Sequence, residues 1–167
     1  FFAPCFHPAM RHVGPARKKM ATKTIFNLLG PLTNPAGAKR QLLGVYDSSA
    51  QEKLATVLKN LGSERVWVVH GSDGLDEITL TGPTEIVELN EGEIKKWTLN
   101  PEDYDLKLCE SDDLLGQEAS FNANLLKGLL EGYVSPLRDV VVLNAAAALV
   151  ISGKAQDLKE GLRMANH

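Results

Sequence analysis

The chain has 167 residues, of which 44% are hydrophobic and 23% charged, a composition typical of a soluble globular domain with a sizeable core. A formal net charge of -3 argues against a nucleic-acid-binding protein, and no apolar run approaches the ~18 residues of a membrane span. Cys5 and Cys109 lack CxxC spacing, which disfavours a disulfide frame or a zinc site and indicates a reducing, cytoplasmic location.

The first segment, residues 1–37, is rich in Pro and Gly and yet apolar. We expect it to pack as short helices and shaped loops around a site. It has no initiator Met and no basic region typical of a signal peptide, and the chain ends inside a helical pattern. We therefore expect a part of a longer protein, incomplete at both ends.

A strand, a helix and a second strand are predicted next. "KRQLLGVYD" is typical of a buried strand, and "SSAQEKLATVLKNLG" of a helix with Ser48 or Ser49 as N-cap and Gly62 beyond its end. "ERVWVVHG" is a second, β-branched strand. This order predicts a parallel pair with a right-handed crossover.

The remaining elements are a hairpin and three helices. "TEIVELNEGEIKKWTL" alternates around "NEGE", which predicts a β-hairpin at a sheet edge. Helices are expected over roughly 117–131, 135–152 and 155–165. The middle one has Ser135 as cap and Pro136 in its first turn, and because it is hydrophobic all round we expect it to be buried. The class is α/β, with a central parallel or mixed sheet flanked by helices.

"HGSDGLDE" follows the second strand, at the edge where open α/β sheets bind ligands. Gly71 and Gly74 allow a sharp turn. The adjacent acids Asp76 and Glu77 can face one hard cation only from an irregular segment, and Mg²⁺ is often held by one or two carboxylates plus phosphate oxygens. A polar connection between strands is an equal alternative on composition alone. His70 and Asp73 are expected to be supports, and no residue is assigned as a general acid or base.

Two further stretches contain polar residues in apolar surroundings. In "FHPAMRHVGPARKK", an arginine such as Arg17 suits bidentate recognition of a carboxylate or phosphate, whereas Lys18 and Lys19 fit a solvated helix end. His7 has the alternative of a simple packing role. "NLLGPLTNP" is expected to be a tightly specified structural turn.

Taken in order, "FHPAMRHVGPAR", "TIFNLLGPLTNPA", "LLGVYD", "VVHGSDGLDE" and "VVLNAAAALVISG" resemble the second half of the anthranilate phosphoribosyltransferase family of tryptophan biosynthesis. The resemblance covers nearly the whole chain. It implies that residues 1–167 are part of a large α/β domain of the nucleoside phosphorylase and phosphoribosyltransferase type. It also implies an Mg²⁺-dependent pentosyltransferase that joins the amine of anthranilate to C1′ of phosphoribosyl pyrophosphate (PRPP) and releases pyrophosphate.

The resemblance assigns roles to individual residues. Asp76 and Glu77 match the acidic pair that binds Mg²⁺ on the pyrophosphate. Arg17 matches the arginine that holds the anthranilate carboxylate, and His7 matches a histidine lining the channel to the anthranilate site. The expected partners are therefore the two small-molecule substrates, and the longer protein is expected to be a homodimer, with no nucleic-acid or membrane partner.

The sequence departs from the family pattern in one respect. The glycine-rich PRPP loop of the form GTGGD is absent from these 167 residues, so we expect them to be inactive alone. Two alternatives are a pyrimidine nucleoside phosphorylase-like enzyme, which is not expected to carry "DGLDE", and a non-catalytic nucleic-acid-binding paralogue, which predicts a basic groove.

Overall fold

The computed structural model describes residues 3–22 and 24–167. The chain divides into two units, Phe1–Ala38 and Lys39–His167. None of the helices in these described stretches is both long enough and apolar enough to cross a membrane.

The first unit consists of short helices, as the Pro- and Gly-rich sequence predicts. They are α1 (Ala3–Phe6), α2 (Met10–Met20), α3 (Phe26–Leu29) and a 3₁₀ turn at Pro31–Thr33. α2 and α3 contain no buried residue. Of the segment assigned to this unit, Phe1, Phe2 and Lys23 lie outside the described residues.

Side chains of "NLLGPLTNP" bind main-chain groups within this stretch and next to it, which confirms the structural role expected for it. Asn27 Oδ1 accepts a hydrogen bond from the Thr24 N–H at 2.9 Å. Thr33 Oγ1 donates to the Leu29 carbonyl at 2.9 Å, and Asn34 Oδ1 accepts from the Ala36 N–H at 3.0 Å. Such local side-chain to main-chain bonds specify turns.

The second unit contains a four-stranded sheet in the order β1-β2-β3-β4. The strands are β1 (Arg40–Gly44), β2 (Arg65–Gly71), β3 (Thr84–Asn90) and β4 (Glu93–Leu99). β1 and β2 are parallel, as predicted, whereas the two later pairs are antiparallel, so the sheet is mixed.

The predicted hairpin joins β3 to β4, and β4 lies at an edge of this sheet. Its two-residue connection consists of Glu91 and Gly92, with φ of 49° and 81°. Positive φ at both central residues is the pattern of a type I′ hairpin turn, which matches the right-handed twist of the flanking strands.

Helices cover both faces of the sheet. α4 (Gln51–Asn60) connects β1 to β2, and α6 (Pro136–Ser152) packs with α7 (Leu158–Ala165) on the face that carries Trp67 and Val69. Val66 and Val68 alternate with these residues along β2, and all four are buried. Burial on both faces explains why β2 is a continuous apolar run, since a central strand has no solvated side.

The starts of two helices test the predicted caps. Ser135 Oγ accepts from the Arg138 N–H at 3.2 Å, as predicted for the start of α6. The prediction of Ser48 or Ser49 as a cap is wrong, because Asp47 Oδ1 accepts from the Ser49 N–H at 3.0 Å and a 3₁₀ turn precedes α4. Asp carries a charged acceptor, which binds main-chain N–H groups at a helix start at least as well as Ser.

The prediction that α6 is buried all round is also wrong for this structure. One face is buried, whereas Val141 is 41% exposed and Ala145 and Ala148 are also exposed on the other. A helix packed on one side of a single sheet buries only one stripe. The helix α5 (Ala119–Leu130) contains no buried residue.

Candidate metal and substrate site

The segment after β2 turns back on itself immediately beyond the sheet. The Gly74 N–H donates to the Gly71 carbonyl, and the Gly71 N–H donates to the Leu75 carbonyl, both at 2.9 Å. Gly74 has φ of 87°, in the left-handed region where a Cβ is disfavoured. The two glycines therefore lie where the chain has to reverse.

Asp73 connects this turn to the residues that follow it. Its Oδ1 accepts from the Leu75 N–H at 3.0 Å, and its Oδ2 accepts from Thr79 Oγ1 at 2.8 Å and Thr81 Oγ1 at 2.7 Å. Partial burial acts to raise the pKa of Asp73, but the hydrogen bonds from Thr81, Leu75 and Thr79 together lower it below its ordinary value. Asp73 is thus an ionised structural acceptor within the loop, the supporting role expected from the sequence.

His70 has the same supporting character. Its ring Nδ1 lies 2.8 Å from the Val45 carbonyl oxygen, which can only accept a hydrogen bond. The ring therefore donates at Nδ1 and ties the end of β2 to the residue that follows β1. The structure confirms His70 as a structural hydrogen-bond donor.

Asp76 and Glu77 occupy an irregular, solvent-accessible segment rather than a strand. Partial burial and the neighbouring charge of Asp76 raise the pKa of Glu77 above its ordinary value. A cation next to Glu77 would offset this disfavoured ionisation, and oxygen donors alone suit Mg²⁺. In the described part of the chain, no group of three or more His, Cys, Asp or Glu converges as a metal site. Two carboxylates side by side would suit a metal that takes its other ligands from phosphate and water.

Two residues outside the loop hold this segment, and neither was identified from the sequence. Asn144 of α6 binds the main chain of Ile78, directly after Glu77. Gly44, at the end of β1, lies so close to Asp76 that a Cβ would overlap the Asp76 carbonyl. The available signals were a lone Asn in the apolar run "VVLNAAAALV" and a Gly inside the strand pattern "LLGVY".

In the first unit, Arg17 lies in the last turn of α2 with its guanidinium carbon 5.8 Å from the centroid of the Phe26 ring. It lines an open cavity of about 420 Å³, together with Gly14, Lys18, Ala21, Thr22 and Asn27. A half-exposed guanidinium beside an aromatic ring can bind a planar carboxylate in two-point fashion. His7 is half-buried between α1 and α2 and is not among the described residues that line this cavity.

The comparison with protein families identifies the class. The family described as "Glycosyl transferase family, a/b domain" matches residues 1–167, and the chain belongs to this family. Anthranilate phosphoribosyltransferase of Rhodopseudomonas palustris (strain BisB5) is 58% identical over 163 residues, which are 98% of this chain and 48% of that protein. The resemblance read from the motifs is thereby confirmed, and the chain spans about half the length of the curated relatives it matches.

Solved structures agree in fold. Anthranilate phosphoribosyltransferase from Thermus thermophilus superposes with a TM-score of 0.88 at 43% identity, over 96% of this chain and 47% of that one. The Saccharomyces cerevisiae enzyme in complex with PRPP and Mg gives a TM-score of 0.86 at 30% identity, over 96% and 46% of the two chains. The same yeast enzyme was also solved with 4-fluoroanthranilate, with a TM-score of 0.86 at 28% identity and coverage of 96% and 47%.

Proposed function

We propose that residues 1–167 are one glycosyltransferase-type domain that forms the metal-binding and acceptor-binding part of an anthranilate phosphoribosyltransferase. The observation that carries the proposal is the acidic pair Asp76 and Glu77, presented to solvent just beyond the carboxyl end of β2 in a chain 58% identical to such an enzyme. A relative solved with PRPP and Mg supports the same substrate and metal. The reaction is transfer of the phosphoribosyl group to the amine of anthranilate, in tryptophan biosynthesis.

The acidic pair acts on the leaving group. As the bond from C1′ to pyrophosphate breaks, negative charge accumulates on the pyrophosphate oxygens. Mg²⁺ supplies the positive charge that neutralises them when it is bound. Asp76 and Glu77 would hold the metal through carboxylate oxygens, and the hydrogen bonds of Asp73 would keep the preceding turn fixed.

Arg17 acts on the acceptor. A guanidinium that pairs with the anthranilate carboxylate would fix the orientation of the ring and thereby of its amine. His7 would line the channel to the same site. The aromatic amine loses its proton after it bonds to C1′, and because it is a weak base no strong protein base is required for that step.

A GTGGD phosphate loop is not present in these 167 residues, so we expect them to lack activity alone. Supplying the purified 167-residue chain with both substrates and Mg²⁺, and finding phosphoribosyl anthranilate, would contradict that expectation. The homodimer and the cytoplasmic location expected for the longer protein stay predictions; sedimentation of the longer protein tests the dimer.

The metal assignment is tested in the longer protein by varying Mg²⁺ at saturating substrates. Asp76→Asn and Glu77→Gln should each raise the Mg²⁺ concentration for half-maximal rate by about tenfold or more, with little change in the KM for anthranilate. Glu118→Gln, which removes an exposed carboxyl that does not cap α5, is the matched control and should leave both values unchanged. Unaltered Mg²⁺ dependence in both acid variants would remove the pair from the metal site.

A further inference from the structure

We propose that Asn144 is a positioning residue that directs Asp76 and Glu77 toward one cation, and that Gly44 provides the space this arrangement needs. The inference rests on the proposed metal role of the acidic pair. It concerns how the fold holds a segment that has no regular structure of its own.

The side chain of Asn144 binds both main-chain groups of one residue. Its Oδ1 accepts from the Ile78 N–H at 3.0 Å, and its Nδ2 donates to the Ile78 carbonyl at 2.8 Å. The second hydrogen of Nδ2 is donated to the Val140 carbonyl at 2.9 Å, within α6 itself. Because both amide hydrogens and the oxygen are bonded, the carboxamide has one orientation.

Ile78 is the residue after Glu77, and it is fully buried. In a sheet, an adjacent strand would bond the N–H and carbonyl of Ile78. Here the side chain of a helix residue 66 positions away does so. Such a two-point contact fixes the direction of the peptide that leaves Glu77. Only a side chain with a donor and an acceptor side by side can make it, which excludes aliphatic residues and ionised Asp.

Gly44 restricts the same segment from the opposite end. A Cβ at this position would overlap the main-chain carbonyl of Asp76, a contact that no side-chain movement relieves. Gly44 pairs with Val69 in the parallel register, so its place is fixed by the sheet. The peptides of Asp76 and Glu77 therefore lie between a strand and a helix that are both part of the folded core.

Fixed peptides matter for a site with only two protein carboxylates. Outer residues that orient metal ligands commonly change metal affinity by about 10–100-fold when they are replaced. If the loop could rotate freely, the carboxylates of Asp76 and Glu77 would not both face the same cation. The part of the cation affinity that depends on both carboxylates would then be lost.

The test uses Mn²⁺ as a probe for the Mg²⁺ site. In NMR spectra of the isotope-labelled 167-residue chain, bound Mn²⁺ broadens nearby amide signals even when affinity is weak. We expect broadening of the amides around Asp76 in the wild type, and loss of it in the double variant Asp76→Asn with Glu77→Gln. Asn144→Ala and Gly44→Ala should need about tenfold more Mn²⁺ for the same broadening.

The control is Val150→Ala, which truncates a buried side chain of α6 that makes no hydrogen bond to Ile78. It should lower the thermal midpoint, as we also expect for Asn144→Ala, but leave the Mn²⁺ titration within about twofold of wild type. Asn144→Asp, which keeps the acceptor and loses both donors, provides a second variant if Asn144→Ala does not fold.

The outcomes distinguish the metal role of Asp76 and Glu77 from the positioning role of Asn144 and Gly44. If the double acid variant still shows broadening, the metal assignment fails and the positioning role fails with it. If the acid variant loses broadening while the Asn144 and Gly44 variants titrate as Val150→Ala does, the metal assignment stands and Asn144 is merely structural. A loss of affinity in both positioning variants, beyond the control, supports the inference.

Discussion

Arg40 and Arg65 are paired across the parallel strands β1 and β2, and each donates a hydrogen bond to a main-chain carbonyl in the last turn of α6. Arg40 Nη1 lies 2.6 Å from the Ser152 carbonyl, and Arg65 Nη1 lies 2.8 Å from the Val150 carbonyl. The last carbonyls of a helix lack partners within the helix and carry its negative dipole end, so two cations there stabilise the contact between helix and sheet.

We expect Arg65→Ala to lower the free energy of unfolding by about 1.5–3 kcal/mol, because Arg65 makes a charged hydrogen bond in a half-buried position. The change also removes the cation 3.6 Å from Glu88, whose side chain is only 19% exposed. Lys96→Ala, which breaks an ion pair with Glu52 at 64% and 62% exposure, should cost less than about 1 kcal/mol. Urea unfolding of wild type, Arg65→Ala and Lys96→Ala measures both losses of unfolding free energy. Equal losses would contradict the expectation that a half-buried charge contributes more than an exposed ion pair.

The hydrogen bonds of Asp73 predict a pH dependence of stability. Because folding lowers the pKa of Asp73 below its ordinary value of 3.8, its contribution is complete above the unfolded pKa and is lost as pH falls through the folded one. Asp73→Asn should therefore be less stable than wild type at pH near 7, by on the order of 1 kcal/mol. The difference should shrink under acidic conditions, as followed by urea midpoints across the pH range.

Asp112→Asn is the control for Asp73, since Asp112 is exposed on a short 3₁₀ turn and its side chain makes none of the hydrogen bonds that fix the loop. Its difference from wild type should stay near zero at every pH. A gap for Asp73→Asn that is unchanged from neutral to acidic pH would show that the carboxylate charge is not what stabilises the turn.

The crossing of α6 and α7 is expected to depend on Gly161. A Cβ there would lie 2.7 Å from the Ala146 carbonyl oxygen, a main-chain atom that can move only with its helix. Gly161→Ala should destabilise the protein by about 1–3 kcal/mol in urea unfolding, the usual cost of overpacking.

Gly14→Ala is the same exchange in a helix with open space, since nothing lies within 4 Å of the added Cβ. There we expect no loss, and a slight gain in helix content by circular dichroism. If Gly161→Ala were as harmless as Gly14→Ala, close approach of the two helices would not be essential.

Arg17 is predicted to bind anthranilate through its planar guanidinium. In the longer protein, Arg17→Ala should raise the KM for anthranilate by about tenfold or more, while the Mg²⁺ dependence stays as in wild type. Arg17→Lys should recover only part of the loss, because an ammonium cannot make the two-point contact. Lys18→Ala removes another cation from the rim of the same cavity and should change the KM little; an equal effect there would point to general charge attraction instead.

Local patterns account for what could be predicted from the sequence. The hairpin follows from alternation around Glu91 and Gly92, and the start of α6 from the sequence Ser135-Pro136, since each signal lies within a few residues of the structure it specifies. The acidic pair was proposed as a metal site from its place after a strand together with the family resemblance. The cap before α4 was wrongly predicted because Asp47 and two serines can all bind N–H groups there. Only the geometry of the chain leaving β1 selects Asp47, which caps the 3₁₀ turn that precedes α4.

The sequence by itself determined the order of helices and strands and the turn after β2, because hydrophobic periodicity, caps and glycines act over short distances. It also led to Asp76 and Glu77 as the residues proposed for a metal. Only the tertiary structure decided how those residues are held. The contacts between Asn144 and Ile78 and between Gly44 and Asp76 join distant parts of the chain, and they exist because α6 and β1 pack on either side of one loop. Such contacts depend on the whole fold, and no local pattern encodes them.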